Sequence, residues 1–491
     1  MKNRFTTRSG AIALFLIIVL GFAACQQNTA PTHNATKIAL KFHENGKFKV
    51  AQFTDPHWVH GNANTPVMES TMRYVLQTEK PDVAVLTGDI VTGKPAKESW
   101  EDIMKIFDDE KIPYAVVLGN HDRENWEGDS IYDLLATSPY FIGEKGPEEL
   151  YGIGTYALPV KASNSDKTAA VLYCMDSNDY CDDDNLGYYD WFHRDQIEWY
   201  RKTSRAFTAA NNNQPLPALA FFHIPLVEYD AVINNITFTG AYEEPTCPGI
   251  LNTGMLASMI EMGDVMGTFC GHDHTNDFIG IFGSVALAYG RCAHVKNMGS
   301  RIIELTEGHP VFSTWIRTPE KVENHYLYPA GIELFADEDI TFTPAINKQS
   351  DKKGVRYSYY EGSFKSVDEL SAANPIKSGV ASTIAVSEAK VDRYYGFTYN
   401  ALIKIPKKDV YYFYTKSDDG SKLFIDNKLI VNNDSTHSAT RVNGYIALEP
   451  GFHQFTLKYF ADAPGNLLKV GVMTRATPEV DNLDELLYID E

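Results

Sequence analysis

The stretch AVVLGNHD, residues 115–122, is an apolar run of strand length that ends in a glycine and then in residue types that bind metal ions. Four further stretches also lead from an apolar run into such residue types, and they are FKVAQFTDPH at 48–57, VAVLTGD at 83–89, LAFFH at 219–223 and VMGTFCGHDH at 265–274. Helical candidates lie between the runs, at 67–77 and 191–202. Apolar runs that alternate with amphipathic stretches are typical of an α/β protein. The sequence therefore predicts an α/β fold for this part of the chain.

Candidate metal ligands stand at the end of each of these runs. In an open α/β sheet the carboxyl ends of the strands form the ligand crevice, so tips that are distant in sequence can converge. The residue types suit two borderline or hard cations about 3.5–4 Å apart, bridged by one carboxylate. The candidate ligands are Asp55, His57, Asp89, Asn120, His223, His272 and His274. Glycine before Asp89, Asn120 and His272 is expected to let the chain turn sharply beside the metals.

The charge of the chain favours a metal centre over a basic patch. With 44 Lys and Arg against 64 Asp and Glu, the net charge is -20, which does not predict a nucleic-acid-binding surface. An acidic protein that handles phosphate esters needs concentrated positive charge at its site, and divalent cations supply it. Two such cations held by two carboxylates and neutral ligands keep a positive excess, which attracts phosphate and favours a bound hydroxide as the attacking group.

The amino terminus has the features of an export signal. Basic residues precede an apolar run over 11–24, which is too short to span a bilayer comfortably. The sequence Phe22-Ala23-Ala24-Cys25 resembles the cleavage box of bacterial lipoproteins, which implies a signal peptide over 1–24 and a lipidated Cys25. We then expect a tether over 25–44 and an exported protein anchored to a bacterial membrane, in the periplasm or at the cell surface. An ordinary cleaved signal and an uncleaved anchor are the alternatives.

The order of motifs D-x-H, G-D, G-N-H-D, a lone His and G-H-x-H resembles the calcineurin-like metallophosphoesterases over residues 48–316. The resemblance implies a β-sandwich flanked by helices, with domain bounds of 45–317. It also implies the role of each ligand: Asp55, His57 and His274 hold the first metal, Asn120, His223 and His272 the second, and Asp89 bridges them. His121 would stand over the phosphate as the catalytic acid and would not bind a metal.

The match is nearest to a subgroup related to purple acid phosphatases, with one departure that concerns the metal. Thr92 occupies the position of the tyrosine that makes those enzymes purple, so zinc, manganese or ferrous iron is expected in place of a ferric centre. Arg123, just beyond the fourth motif, is a candidate for contact with the substrate phosphate, and a salt bridge is the alternative. His294 is left unassigned.

The chain changes character after residue 317. Residues 318–353 contain three scattered prolines and are interpreted as a linker, and the chain beyond them alternates with the period of β-strands. Residues 354–480 resemble a PA14 domain, which is all-β. In some sugar-binding members of that family two adjacent aspartates coordinate calcium together with the glycan, and Asp418 and Asp419 match that pair. A tight turn explains the same residues.

These observations favour hydrolysis of a phosphate ester outside the cytoplasm, with phosphomonoesters preferred and a phosphodiesterase as the alternative. A non-catalytic, glycan-binding surface lipoprotein is the second alternative. The expected partners are the phosphate-ester substrate, a membrane reached through the lipid anchor and, for the carboxyl-terminal domain, a glycan.

Overall fold

The computed structural model of the protein describes residues 38–235, 238–294, 297–333, 340–465, 467–475 and 477–490. The predicted signal peptide and Cys25 lie outside these residues. No helix in the described part of the chain is long and apolar enough to cross a membrane.

The amino-terminal domain contains fifteen strands and six helices among the described residues. Its strands are β1 Leu40–Lys41, β2 Lys47–Phe53, β3 Val83–Thr87, β4 Tyr114–Val117, β5 Tyr156–Lys161, β6 Thr168–Cys174, β7 Ala218–Phe221, β8 Phe238–Thr239, β9 Val265–Cys270, β10 Ile279–Phe282, β11 Val285–Tyr289, β12 Ser300–Thr306, β13 Phe312–Arg317, β14 Val322–Tyr328 and β15 Gly331–Ile332. Its helices are α1 Thr65–Glu79, α2 Ala96–Glu110, α3 Gly128–Leu135, α4 Arg194–Ala210, α5 Tyr229–Asn235 and α6 Met255–Met262.

Two sheets form the centre of this domain. One has the order β1-β5-β6-β7-β9-β11-β10-β8, and the other has the order β15-β14-β13-β12-β2-β3-β4. The strands β2, β3 and β4 are parallel to one another, as are β6, β7, β9 and β11. One apolar core joins the facing sides of the sheets with α1 and α2, and a second packs α4 and α6 on the outer side of the first sheet. The predicted β-sandwich flanked by helices is therefore confirmed.

Four of the five strands that carry ligands are buried along their whole length. Every residue of β3, β4, β7 and β9 is buried. Such continuous apolar strands are typical of parallel sheets covered on both faces. Charged and imidazole side chains appear only where these four strands end, at the edge that the two sheets share.

Two predicted boundaries need correction. The tether was predicted to extend to residue 44, but Leu40–Lys41 pairs with β5 at the edge of the first sheet. The linker was predicted over 318–353, but Val322–Tyr328 pairs with β13 and extends the second sheet. The prolines of this segment lie outside the strand, at 319, 329 and 344, and the polar residues 323–325 within it obscured its alternation.

The carboxyl-terminal domain is all-β, as predicted. Its strands are β16 Val355–Glu361, β17 Lys377–Ala381, β18 Tyr395–Ile405, β19 Asp409–Ser417, β20 Ser421–Ile425, β21 Lys428–Asn433, β22 Thr440–Leu448, β23 Gly451–Ala461, β24 Leu468–Thr474, β25 Thr477–Val480 and β26 Leu487–Tyr488. One sheet has the order β17-β16-β18-β23-β20-β21, with β26 also paired to β18, and the other has the order β22-β19-β24-β25. An aromatic-rich core lies between them.

A separate apolar cluster joins the two domains. Leu327 and Ala330, in and just after β14, are buried together with Val410, Tyr412 and Met473 of the carboxyl-terminal domain. The last strands of the first domain therefore rest on the second domain.

Candidate metal centre

Five strand tips meet at one edge of the sandwich. Asp55 and His57 follow β2, Asp89 follows β3, Asn120 and His121 follow β4, His223 follows β7, and His272 and His274 follow β9. The tips are tied together by backbone hydrogen bonds, in which Asp55 N donates to Gly88 O and Gly271 N donates to His223 O. The structure thus brings all seven predicted ligands into one site.

The first group of donors contains Asp55, His57, Asp89 and His274, whose ligand atoms all lie within 4.8 Å of one another. His57 Nε2 is 3.9 Å from Asp55 Oδ1 and 3.7 Å from Asp89 Oδ2, and His274 Nε2 is 3.5 Å from Asp55 Oδ1. Neighbouring ligands on a cation with bonds of about 2.1 Å are separated by roughly 3.0–3.4 Å. The group is therefore slightly wider than a filled coordination shell and can close around an ion with small side-chain movements.

The second group contains Asp89, His223 and His272. His223 Nε2 is 3.3 Å from Asp89 Oδ2, 3.3 Å from His272 Nδ1 and 3.2 Å from Asn120 Oδ1. Asn120 is thus positioned to supply a fourth ligand atom. Asp89 Oδ2 belongs to both groups, which is the position predicted for the bridging carboxylate.

The carboxylates at this site are buried and need positive partners. Asp55 and Asp89 are 0% and 1% exposed. Among the described residues, their ion-pair partners are all histidines. Although burial opposes ionisation, His223 lowers the pKa of Asp89, and Asp89 in turn raises the pKa of the buried His223 to about 10. The proton that His223 binds beside Asp89 occupies a place that a divalent cation would fill.

The imidazoles of the first group fit a metal ion. His57 Nε2 is buried and has no hydrogen-bond partner among the described residues. Burial lowers the pKa of His57 to about 4, so its ring is neutral at neutral pH. A buried lone pair without a donor is costly unless a cation binds it. His57 and the carboxylates beside it therefore suit a divalent cation.

The backbone at the ligands is strained. Asp55, His57, Asp89 and His272 have φ angles of 51°, 46°, 49° and 79°, in the left-handed region that favours glycine. The preceding glycines serve a different purpose from the one predicted, except for Gly88, whose φ is 87°. A Cβ at Gly271 would collide with Thr54 and with the carboxylate of Asp55. This glycine provides space beside a ligand, while the turn itself is made at the ligands.

His121 stands outside both donor groups. Its Nδ1 is 2.8 Å from Glu124 Oε1, and its Nε2 is 3.9 Å from Asp89 Oδ2. Because a carboxylate only accepts, Nδ1 donates to Glu124 and Nε2 is left facing the metal groups. The backbone N–H of His121 also donates to Asp89 Oδ1 at 2.9 Å. Asn120 Oδ1 therefore faces the second donor group, while His121 remains outside both groups.

Tyr180 links these two residues. Its hydroxyl accepts from Asn120 Nδ2 at 3.0 Å and donates to Glu124 Oε1 at 2.7 Å. The first bond turns the oxygen of the Asn120 amide toward the second metal group. Glu124 and Tyr180 were not predicted from the sequence. Glu124 could have been found, because it lies three residues after His121 in the same turn, whereas Tyr180 reaches the site from a distant loop.

Asp122 connects the loops after β3 and β4. Its carboxylate accepts from Ile90 N and Val91 N at 2.8 Å each and from Gly119 N at 2.7 Å. It therefore holds the strand tips in place and does not face the donor groups.

Arg123 takes the salt-bridge alternative. Its guanidinium contacts the fully buried carboxylate of Asp176 and lies 3.3 Å from Asp179 Oδ2. Asp176 also accepts from Ile153 N at 2.7 Å. Arg123 thus fastens loops beneath the site, and its charge is already neutralised by two acids.

The adjacent aspartates of the carboxyl-terminal domain form a turn. Asp419 is 1% exposed, and its carboxylate accepts from the backbone of His437, Asp462 and Ala463. The groups that could hold a metal ion in the described part of the chain do not include Asp418 or Asp419. Turn chemistry therefore accounts for Asp419.

A sandwich whose strand tips present two donor groups around a shared carboxylate defines a two-metal phosphoesterase site. The family model for calcineurin-like phosphoesterases matches residues 48–276, and the PA14 model matches residues 351–481. An Arabidopsis thaliana protein named probable inactive purple acid phosphatase 29 is 31% identical over 309 residues, which cover 56% of this chain and 79% of that protein. The chain belongs to the calcineurin-like phosphoesterase family, and with it to the metal-dependent phosphoric ester hydrolases.

Two other similar proteins differ in how much they share with this chain. The phosphatase DCR2 of Saccharomyces cerevisiae is 28% identical over 272 residues, covering 48% of this chain and 45% of that protein. The solved structure of a dimetal phosphatase from Danio rerio is 14% identical, covers 57% of this chain and 98% of that chain, and has a TM-score of 0.42.

Proposed function

We propose that the protein hydrolyses phosphate esters at two divalent cations, with phosphomonoesters as the preferred substrates and phosphodiesters as the alternative. The observation that carries the proposal is the position of Asp89 Oδ2, which lies 3.7 Å from His57 Nε2 and 3.3 Å from His223 Nε2. One oxygen that serves two groups of donors is the arrangement that two-metal hydrolysis requires.

The residues divide between the two cations as follows. Asp55, His57, Asp89 and His274 would hold the first, and Asp89, Asn120, His223 and His272 would hold the second. The mixture of imidazoles and oxygens suits zinc, manganese or ferrous iron. When bound, such a pair supplies Lewis acidity and an activated water at neutral pH.

His121 is the residue proposed to handle the proton of the leaving group. Its Nδ1 is held by Glu124, so its Nε2 is directed toward the space beside Asp89. In the imidazolium form both ring nitrogens carry protons, so Nδ1 can keep its hydrogen bond to Glu124 while the proton on Nε2 is given to the departing oxygen of an ester bound there. Because His121 is 37% exposed, it can recover that proton from solvent after each turnover.

Activity distinguishes this proposal from a non-catalytic, glycan-binding role. Some relatives carry the word inactive in their names, but all seven ligand residues are present in this chain and converge. The test measures bound metal in the purified protein, then turnover of p-nitrophenyl phosphate and bis(p-nitrophenyl) phosphate, with Asp89→Asn as the matched control.

Metal-dependent turnover of the monoester above that of the diester supports the full proposal. Faster diester turnover would replace the monoesterase with the phosphodiesterase. Two bound ions without turnover of either ester, across a panel of nucleotides and sugar phosphates, would contradict the proposed catalysis and favour the glycan-binding role.

We also propose that the protein is exported and anchored to a bacterial membrane through Cys25. The support is the small-residue sequence before that cysteine, which resembles a lipoprotein cleavage box. Replacement of Cys25 by Ser in the native host is expected to move the protein from the membrane fraction to the soluble fraction. Continued need for detergent would indicate an uncleaved apolar anchor.

For the PA14 domain, the proposed glycan contact is reduced to Asp418. Asp419 already accepts three backbone N–H groups, while Asp418 beside it is half-buried. A sugar hydroxyl could donate to the carboxylate of Asp418, with or without calcium. Binding of the isolated sugars on a glycan array, lost on Asp418→Ala and unaffected on Asp409→Ala, would support this contact.

A further inference from the structure

The loop after β11 brings one more imidazole to the first donor group. The ring of His294 packs against those of His57 and His274, with centroid separations of 4.4 and 4.9 Å. The ligand atoms of these three histidines all lie within 4.8 Å of one another. His57 and His274 belong at the same time to the group that contains Asp55 and Asp89. His294 therefore borders the first metal position.

One contact determines which nitrogen of His294 is available. Its Nδ1 lies 2.6 Å from the backbone carbonyl oxygen of Asp55. Because a carbonyl only accepts, Nδ1 carries the proton and Nε2 carries the lone pair. His223 has the same arrangement, with Nδ1 2.8 Å from the carbonyl oxygen of Thr87 and Nε2 facing the second group. Histidines that bind metals usually donate their other N–H in this way.

The packing of the three rings is explained by a cation. Three imidazoles in contact cannot all be protonated without strong repulsion, and three lone pairs that converge repel one another as well. A divalent ion between them removes both problems, because it accepts all three lone pairs. A histidine that only filled space would not need a ring nitrogen within 4.8 Å of the ring nitrogens of two other imidazoles.

We propose that His294 is an additional ligand of the first metal ion, through Nε2. The inference rests on the proposed two-metal function and adds to it the class of cation at that position. Three imidazoles with two carboxylates favour borderline cations such as zinc, cobalt and ferrous iron over magnesium and calcium, which prefer oxygen ligands. The first position should therefore be the more nitrogen-rich of the two.

Two substitutions separate a ligand from a merely structural residue. In His294→Asn the amide nitrogen can replace Nδ1 and keep the hydrogen bond to Asp55 O, but no donor atom remains at the place of Nε2. In His294→Gln the amide oxygen can reach that place, while the bond to Asp55 O is lost. His60→Ala is the matched control, because His60 is an exposed histidine that pairs with Asp102.

The experiment titrates each apoprotein with Zn²⁺ in competition with a chromophoric chelator, and it records the affinity of both sites. We expect His294→Asn to weaken one site at least about tenfold, as loss of a group supporting a metal does. His294→Gln should weaken it less, and His60→Ala should match the wild type. Selection of Zn²⁺ over Mg²⁺ at the affected site should fall in His294→Asn.

Two tight sites of wild-type affinity in His294→Asn would overturn the inference. A weakened site in His294→Gln alone would also overturn it, because the ring would then serve only to anchor the carbonyl of Asp55. A wild-type protein that binds fewer than two ions would overturn the proposed function itself, together with this inference.

If His294→Asn fails to fold, a zinc-loaded crystal structure of the wild type shows whether His294 binds the first metal ion. A distance of about 2.0–2.1 Å between Nε2 and the first ion supports the inference. A separation beyond about 3 Å overturns it.

Discussion

Replacement of His121 by Asn should remove a proton donor and leave both metals in place. His121 belongs to neither donor group, so the metal content should equal that of the wild type. General acid assistance is worth about 10²–10⁴ in rate when the leaving group is strongly basic, which corresponds to about 3–5 kcal/mol. An alkyl phosphate, whose alkoxide leaves with difficulty, should lose this full amount, whereas p-nitrophenyl phosphate should lose far less.

Glu124 provides a second test of proton donation by His121, because it contacts that ring. It contacts His121 at 2.8 Å, but both side chains are more than one-third exposed, so solvent weakens the pair. A bond of this kind contributes about 0.2–1 kcal/mol. Glu124→Gln should therefore slow the alkyl ester by no more than about fivefold. Its effect on the aryl ester should be smaller, since it acts through His121.

The assay compares kcat for glycerol phosphate and p-nitrophenyl phosphate in the wild type and both variants, with metal measured in each sample. Loss of a metal from His121→Asn would show that His121 is a ligand. An equal decrease for both esters, with metals retained, would show that His121 positions the phosphate and donates no proton. Either result refutes the reasoning.

Three further predictions concern other parts of the molecule. Asp89→Asn should lose bound metal and catalytic rate. Asp122→Asn should mainly lower the free energy of unfolding, by about 1–3 kcal/mol, because it disturbs three backbone hydrogen bonds. Equal metal content in the two variants would contradict the assignment of Asp89 as the bridging ligand. Although burial opposes it, hydrogen bonds from Arg317 and Trp315 lower the pKa of Glu79. The stabilisation that ionised Glu79 gives the folded protein is therefore complete above the pKa of Glu79 in the unfolded chain, about 4.3. It is lost as pH falls through the lower pKa of Glu79 in the folded protein. Glu79→Gln should lower Tm at pH 7 and approach the wild type below pH 4 in thermal melts, and a constant gap would refute this. A chain that ends after residue 333 should keep most activity on small esters but melt earlier, since the apolar contact with the second domain is lost; a metal-loaded but inactive fragment would show that the PA14 domain shapes the site.

The ligands could be predicted because each stands within four residues of the end of its strand. Asp89 and His223 each stand two residues beyond the strand end, so one local pattern contains both the strand and its tip. His294 was left unassigned because it stands five residues beyond the end of β11. Its approach depends on the loop that returns to Asp55, and a local pattern does not encode that return.

Other features depend on contacts between distant segments. Tyr180 meets Asn120 across 60 residues, and the cluster that joins the domains pairs Leu327 with residues more than 80 positions later. Such partners are selected by shape and burial in the folded state. The linker was misassigned for the same reason, since β14 is recognisable as a strand only when β13 is beside it.

The left-handed backbone at Asp55, His57, Asp89 and His272 has a consequence for engineering this protein. Each such residue costs about 1–3 kcal/mol relative to an unstrained conformation. A search for stabilising substitutions would therefore select these four positions first and would offer glycine for them. Every such gain would remove a ligand. A more heat-resistant form of this protein must obtain its stability elsewhere, for example in the joint between the two domains.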